Sequence, residues 1–100
     1  MKKFQIVILE KAFQEIENAR DYYENNQLNL GTSFTNEVFS ILEILESNPL
    51  LFPVKFENIR EAVIKKFPFV VIFEVLPNNE IIILSIFHFR RNPENKNLKS

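Results

Sequence analysis

The chain has 100 residues, which is the length of one domain with a single hydrophobic core. Hydrophobic residues make up 46% of the chain and charged residues 25%, a balance typical of compact globular proteins and not of disordered ones. There is no cysteine, which excludes disulfides, a thiol nucleophile and a cysteine-based zinc site. We therefore predict one domain over residues 1–100, with no cofactor.

The charge is unevenly divided between the two halves of the chain. Residues 1–54 carry four basic and eight acidic side chains, whereas residues 55–100 carry eight basic and five acidic ones. An anionic partner would therefore meet the second half. The overall net charge of −1 is far from the strongly basic balance of a dedicated nucleic-acid binder.

The first predicted element is a short strand over residues 4–9, which is rich in β-branched side chains. This apolar run contains Gln5 and stops at Glu10, so it is too short for a signal peptide or a membrane span. We expect a cytoplasmic protein that does not contact a membrane.

Two amphipathic helices follow the first strand. The first should end at Asn25-Asn26-Gln27, and the second should be stopped by Asn48-Pro49. Polar residues on the other side of the first helix, Glu15 and Asn18 among them, are expected to face solvent. The apolar residues at helical spacing are Ala12, Ile16, Ala19 and Tyr23 in the first helix, and Phe34, Val38, Ile41, Leu42 and Leu45 in the second.

Three further strands are predicted over residues 60–67, 69–76 and 80–89. A two-residue turn at Asn78-Asn79 would join the last two strands as a hairpin. The helix-covered face of that hairpin would then carry Val71, Phe73, Val75, Ile82, Leu84 and Ile86. The element order is βααβββ, and the predicted fold is α+β, with an antiparallel helix hairpin packed on one face of a small, mainly antiparallel sheet.

His88 is the residue best suited to general acid or base chemistry, because it is the only side chain whose ordinary pKa lies near neutrality. The alternative is a hydrogen-bonded structural histidine at the end of an apolar strand. One histidine without cysteines cannot complete a usual metal site, so no metal is expected.

Five basic residues stand at or near the ends of the predicted strands. Clustered guanidinium and ammonium groups suit a phosphate or carboxylate partner. The alternative is that these charges protect strand edges from aggregation. The five residues are Arg60, Lys65, Lys66, Arg90 and Arg91.

The order and spacing of short motifs along nearly the whole chain resemble the RelE/ParE superfamily of bacterial toxins, and particularly its ParE-like branch. This resemblance implies the βααβββ fold and membership of a type II toxin-antitoxin pair, in which a co-encoded antitoxin wraps and blocks the toxin. The motifs are Ala12, Glu15-Ile16, Ala19, Tyr22-Tyr23-Glu24, Leu30-Gly31, Phe34, Glu37-Val38, Asn48-Pro49, Phe52-Pro53, Arg60, Lys65-Lys66-Phe67-Pro68-Phe69 and Phe87-His88-Phe89-Arg90-Arg91-Asn92-Pro93.

The superfamily implies two activities. RelE-like members cut messenger RNA on the ribosome, and ParE-like members inhibit DNA gyrase without a hydrolytic site. His88 matches the histidine of an RNA-cleaving branch that ends in His-Tyr, but Phe89 stands in place of the tyrosine and cannot exchange a proton. Pro68-Phe69 replaces an arginine of that branch.

The resemblance therefore favours a ParE-like toxin that binds gyrase, with Arg60, Lys65, Lys66, Arg90 and Arg91 as target- or phosphate-binding residues. The first alternative is a ribosome-dependent messenger RNA endoribonuclease in which His88 is catalytic. The second is a non-toxic binding module of the same fold. The expected partners are a cognate antitoxin and either gyrase or the ribosome with its message.

Overall fold

The computed structural model describes residues 3–90. Within this range the chain forms two helices and five strands, with one 3-10 turn at Pro49–Leu51. The elements are β1 (Gln5–Ile8), α1 (Glu10–Asn26), α2 (Leu30–Ser47), β2 (Val54–Phe56), β3 (Ile59–Val63), β4 (Phe69–Leu76) and β5 (Glu80–His88).

The five strands form one sheet in the order β1-β5-β4-β3-β2. Strand β1 runs parallel to β5, and every other neighbouring pair is antiparallel. Helices α1 and α2 pack against each other and cover one face of this sheet. The predicted α+β fold, a helix hairpin on a mainly antiparallel sheet, is confirmed.

One strand was not predicted, and one predicted strand is shorter than expected. Strand β2 has only three residues and pairs with β3 around a turn in which Glu57 has a φ of 50°. The strand predicted over residues 60–67 is β3, which ends at Val63, because the chain turns at Lys66, where φ is 73°.

The loop between β4 and β5 has three residues and not two. Leu76 pairs directly with Glu80, and Asn79 adopts a left-handed φ of 59°. The prediction that Ile82 and Leu84 face the helices is therefore wrong. Their neighbours Ile81 and Ile83 are the fully buried residues.

A β-bulge then restores the predicted register. Between the pairs Phe73–Ile83 and Ile72–Ser85, β5 contains the extra residue Leu84. Beyond this bulge Val71 pairs with Ile86, as the two-residue turn had predicted.

The core lies between the helix pair and the sheet. At one end of it, four aromatic rings pack with centroid distances between neighbours of 4.8 to 6.3 Å. The rings belong to Tyr23 of α1, Phe34 of α2, Phe67 just before β4, and Phe69 at the start of β4. Phe67 and Phe69 are thus anchored in the core, and this holds the segment between β3 and β4 in place.

Gly31, the only glycine of the sequence, lies in the first turn of α2 and against α1. A Cβ at this position would be 2.5 Å from the carbonyl oxygen of Arg20 and 2.9 Å from Cβ of Glu24. The carboxylate of Glu24 accepts hydrogen bonds from the backbone N–H groups of Asn29 and Gly31, at 2.8 and 2.9 Å. Glu24 of α1 therefore satisfies donors at the start of α2.

Candidate functional site

The candidate site lies where the start of β4 meets the end of β5. Phe69 pairs with His88 in the strand register, and the N–H of Phe89 donates to the carbonyl of Pro68 at 3.0 Å. The Lys65-to-Phe69 motif and the Phe87-to-Arg90 motif, which are about twenty residues apart in sequence, are therefore side by side.

A shallow groove opens on the basic side of this junction. Its volume is about 290 Å³. Lys66 and Arg90 are exposed at its rim, so the groove offers two cations next to apolar walls. We call it the basic groove, and its lining residues are Lys66, Phe67, Pro68, Phe89 and Arg90.

Lys66 is held in a strained backbone conformation. Its φ of 73° lies in the left-handed region, which costs a residue with a Cβ about 1–2 kcal/mol. Its Nζ lies 4.0 Å from a carboxylate oxygen of Glu37 on α2. Strain of this kind is often found at functional positions, and Lys66 is one of the two cations that line the basic groove.

The other predicted cations differ in their positions. Lys65 is exposed and adjoins Lys66, but it does not line the basic groove. Arg60 is half-buried, stands opposite Phe73 in the sheet, and donates from Nη1 to the carbonyl of Phe52 at 2.5 Å. This bond ties the segment after α2 to β3.

The structure thus brings Lys66 and Arg90 together, with Lys65 beside them, and places Arg60 elsewhere along β3. Arg91 lies outside the described residues.

His88 faces a second cavity, on the helix side of the same strand ends. This cavity has a volume of about 280 Å³. The ring of His88 packs edge-on against Phe69, with centroids 4.8 Å apart. We call this cavity the helix-side pocket, and its lining residues are Glu15, Asn18, Ala19, Tyr22, Phe69, Ile86, Phe87 and His88.

Hydrogen bonds from the part of β5 beyond the bulge hold Glu15 at one wall of the helix-side pocket. Its Oε1 accepts hydrogen bonds from the hydroxyl of Ser85 at 2.8 Å and from the N–H of Ile86 at 2.9 Å. Its Oε2 accepts from Nζ of Lys11 at 2.7 Å, and that ammonium also donates to Ser85 at 3.2 Å. The carboxylate is therefore held in one orientation, and it anchors α1 to β5.

The helical pattern of the sequence did not predict the polar residues that α1 contributes to this pocket. Glu15 was expected to face solvent, but it lies against the sheet, with 29% of its side chain exposed. Residues 15, 18, 19 and 22 follow the i, i+3, i+4, i+7 spacing of one helix face, and this spacing was the available signal. A stripe that mixes Glu, Asn, Ala and Tyr does not by itself show which side of the helix is buried.

Two classes of feature are not found in residues 3–90. No group of three histidine, cysteine, aspartate or glutamate side chains there is arranged to hold a metal ion. No helix within the same residues has both the length and the apolar character needed to cross a membrane.

Comparison with known protein families shows which family the chain belongs to. The profile of a family described as ParE toxin of type II toxin-antitoxin system, parDE, matches residues 6–93. The chain belongs to the ParE toxin family. It is therefore a toxin of the type II toxin-antitoxin class, as the motif resemblance had implied.

A solved structure supports the ParE fold independently. A chain from a structure of the chromosomal ParDE TA system from P. aeruginosa superposes with a TM-score of 0.71 at 18% sequence identity. The match covers 85% of this chain and 95% of that one. A search of curated protein sequences gave no significant match.

Proposed function

We propose that this ParE-family toxin inhibits DNA gyrase by binding, with Lys66 and Arg90 of the basic groove as principal contacts. Membership of the ParE toxin family supports gyrase as the target. The two exposed cations at the groove rim suit a carboxylate or phosphate of the target, and Arg90 can contact such a group through two N–H donors. Lys65 and Arg91 extend the same positive charge along the chain.

The observation that carries the proposal is the separation of His88 from the two cations. His88 lines the helix-side pocket, whereas Lys66 and Arg90 line the basic groove. Cleavage of RNA through its 2′-hydroxyl requires a proton-transfer group and cationic stabilisation around one phosphate. In the basic groove, the residue next to the cations is Phe89, which has no proton to exchange.

The charge-reversed double variant Arg90→Glu with Arg91→Glu tests this mode of binding. We expect the concentration needed for half-inhibition of gyrase supercoiling to rise at least tenfold, because two attractive charges become repulsive. Lys55→Glu is the matched control, since Lys55 is an exposed cation on β2 outside the groove. Equal inhibition by the double variant and the wild type would contradict a role for these arginines.

The antitoxin is expected to cover the helix pair and a sheet edge. Strand β1 is one edge of the sheet, and a cavity of about 320 Å³ runs between it and α2. Phe39 is 54% exposed at this cavity, so a bound helix or extended segment would remove it from water. The lining residues are Ile6, Ile8, Phe39, Leu42, Glu43 and Glu46.

Leu28 and Ile44 are also exposed apolar residues, with 78% and 43% exposure. Leu28 lies in the loop between the helices and Ile44 lies on α2, and neither lines the cavity beside β1. Phe39→Asp should therefore weaken capture by the product of the neighbouring open reading frame more than Leu28→Asp does. Equal capture of both variants and the wild type at micromolar concentration would contradict this antitoxin surface.

Messenger RNA cleavage is the second candidate function. The observation that favours it is the presence of three side chains that exchange protons, Glu15, Tyr22 and His88, around the helix-side pocket. Ribosome-dependent cleavage of a reporter message that is lost in His88→Ala would support this function over gyrase binding.

A further inference from the structure

Glu37 is an acidic side chain next to the basic groove. One of its carboxylate oxygens lies 4.0 Å from Nζ of Lys66. The residues that line the groove include no acid, and no other carboxylate of residues 3–90 lies within 4.0 Å of Lys66 or Arg90. The groove therefore has two cations at its rim and a carboxylate beside one of them.

Packing between α2 and the segment before β4 fixes the position of Glu37. Phe34 and Glu37 are three residues apart on α2, so their side chains lie on the same face of the helix. The buried ring of Phe34 packs edge-on against the ring of Phe67, with centroids 5.2 Å apart, and Phe67 directly follows Lys66 in the chain. Only 24% of the Glu37 side chain is exposed, whereas 77% of the Lys66 side chain is. The carboxylate is thus the anchored member of the pair, and the ammonium is the accessible one.

The length of this ion pair leaves Lys66 available to a ligand. N–H···O hydrogen bonds have donor–acceptor distances of about 2.7–3.2 Å, so at 4.0 Å the two groups attract each other without a hydrogen bond. An anion that approaches Lys66 is attracted by the ammonium and repelled by the carboxylate beside it. Glu37 therefore opposes the binding of an anion without blocking the groove.

We propose that Glu37 weakens the affinity of the basic groove for anions, so that a partner offering negative charge alone binds poorly. Pro68 and Phe89 supply apolar walls in the same groove. A target segment that combines an acidic group with apolar surface contacts these walls as well as the cations, and the apolar contact adds to its affinity. This inference rests on the proposed function, since it concerns the groove that contacts the target.

Titration calorimetry with a heparin hexasaccharide tests the effect of Glu37, because this probe carries sulfates and little apolar surface. Glu37→Gln should bind it about two- to fivefold more tightly than the wild type, which is the range expected for one exposed ion pair. Glu43→Gln is the matched control, since it removes the same charge from an exposed position on the same helix, outside the groove. Equal affinities of the two variants, or weaker binding by Glu37→Gln, would overturn the proposal.

Two further measurements separate a local charge effect from a change of structure. The gain in affinity should shrink as sodium chloride is added, because salt screens charges that are exposed to solvent. It should also be smaller in a Lys66→Gln background, in which no ammonium holds a sulfate beside Glu37. A gain that is the same at low and high salt, and the same with and without Lys66, would contradict an electrostatic role for Glu37.

Gyrase inhibition tests the same residue on the proposed target. Glu37→Gln should lower the concentration needed for half-inhibition of supercoiling, because the anionic group of the target meets less repulsion. A higher concentration would overturn the proposal. A wild-type protein that does not inhibit gyrase would instead contradict the proposed function, and the hexasaccharide titration would still decide whether Glu37 opposes anion binding.

Discussion

Gly31 determines how closely the two helices of the toxin pack. A methyl group at this position would overlap the carbonyl oxygen of Arg20 and Cβ of Glu24, which are backbone and near-backbone atoms that cannot move independently of the helix. We therefore expect Gly31→Ala to lower the free energy of unfolding by about 1–3 kcal/mol. Urea denaturation followed by circular dichroism measures this change.

Ser33 supplies the control for this substitution. It is exposed on the same helix, so Ser33→Ala should change the free energy of unfolding by less than about 0.5 kcal/mol. A Gly31→Ala variant as stable as Ser33→Ala would show that close contact with α1 does not require glycine at position 31.

Lys66 combines backbone strain with a proposed functional charge. Because glycine adopts a φ of 73° without steric cost, Lys66→Gly should raise the free energy of unfolding by up to about 1 kcal/mol while it weakens gyrase inhibition. Lys65→Gly is the control, since Lys65 has no positive φ and glycine there should not stabilise the fold. A Lys66→Gly variant that has a lower free energy of unfolding than the wild type and inhibits gyrase equally well would contradict both expectations.

At the scale of the elements, Glu15 links α1 to the bulged region of β5. Its loss would leave the hydroxyl of Ser85 and the N–H of Ile86 without their acceptor, so Glu15→Ala should cost about 1–3 kcal/mol of unfolding free energy. Hydrogen exchange at the Ile86 amide should also accelerate. Gln14→Ala, at an exposed neighbouring position, should change neither quantity, and unaltered exchange in Glu15→Ala would contradict this anchor.

The β4–β5 hairpin illustrates what the sequence could and could not predict. Apolar runs and turn residues correctly predicted both strands, since Pro77, Asn78 and Asn79 interrupt two long β-branched segments. The register near the turn was wrong because Asn79 alone takes the left-handed conformation of a three-residue loop. The bulge at Leu84 is compatible with many apolar sequences, and no residue type there indicates it.

The sequence also predicted part of the candidate site. The cations were predicted to lie at or near strand ends that hairpin pairing could bring together, and Lys66 and Arg90 do line one groove. Arg60 was grouped with them, but its partner is a carbonyl oxygen of Phe52 in an irregular segment, and a backbone acceptor of that kind leaves no sequence pattern. Which side chains of α1 line the helix-side pocket depends on which face of the helix packs against β5. Tertiary packing determines that face, so the sequence pattern of α1 alone does not predict it.

The whole molecule consists of a helix layer and a sheet whose strand ends carry the basic groove. The proposed binding mechanism does not use proton transfer, so we expect His88→Ala to arrest growth if its fold is kept. Circular dichroism of the purified variant checks the fold, because His88 packs against Phe69. Loss of growth arrest in a folded His88→Ala protein would favour the ribonuclease mechanism.

The most direct test is a DNA gyrase supercoiling assay on the refolded, antitoxin-free protein, run beside ribosome-dependent cleavage of a reporter message. We expect inhibited supercoiling and an intact message. Cleaved message with normal supercoiling would contradict it and would make His88 and its basic neighbours a nuclease site despite Phe89.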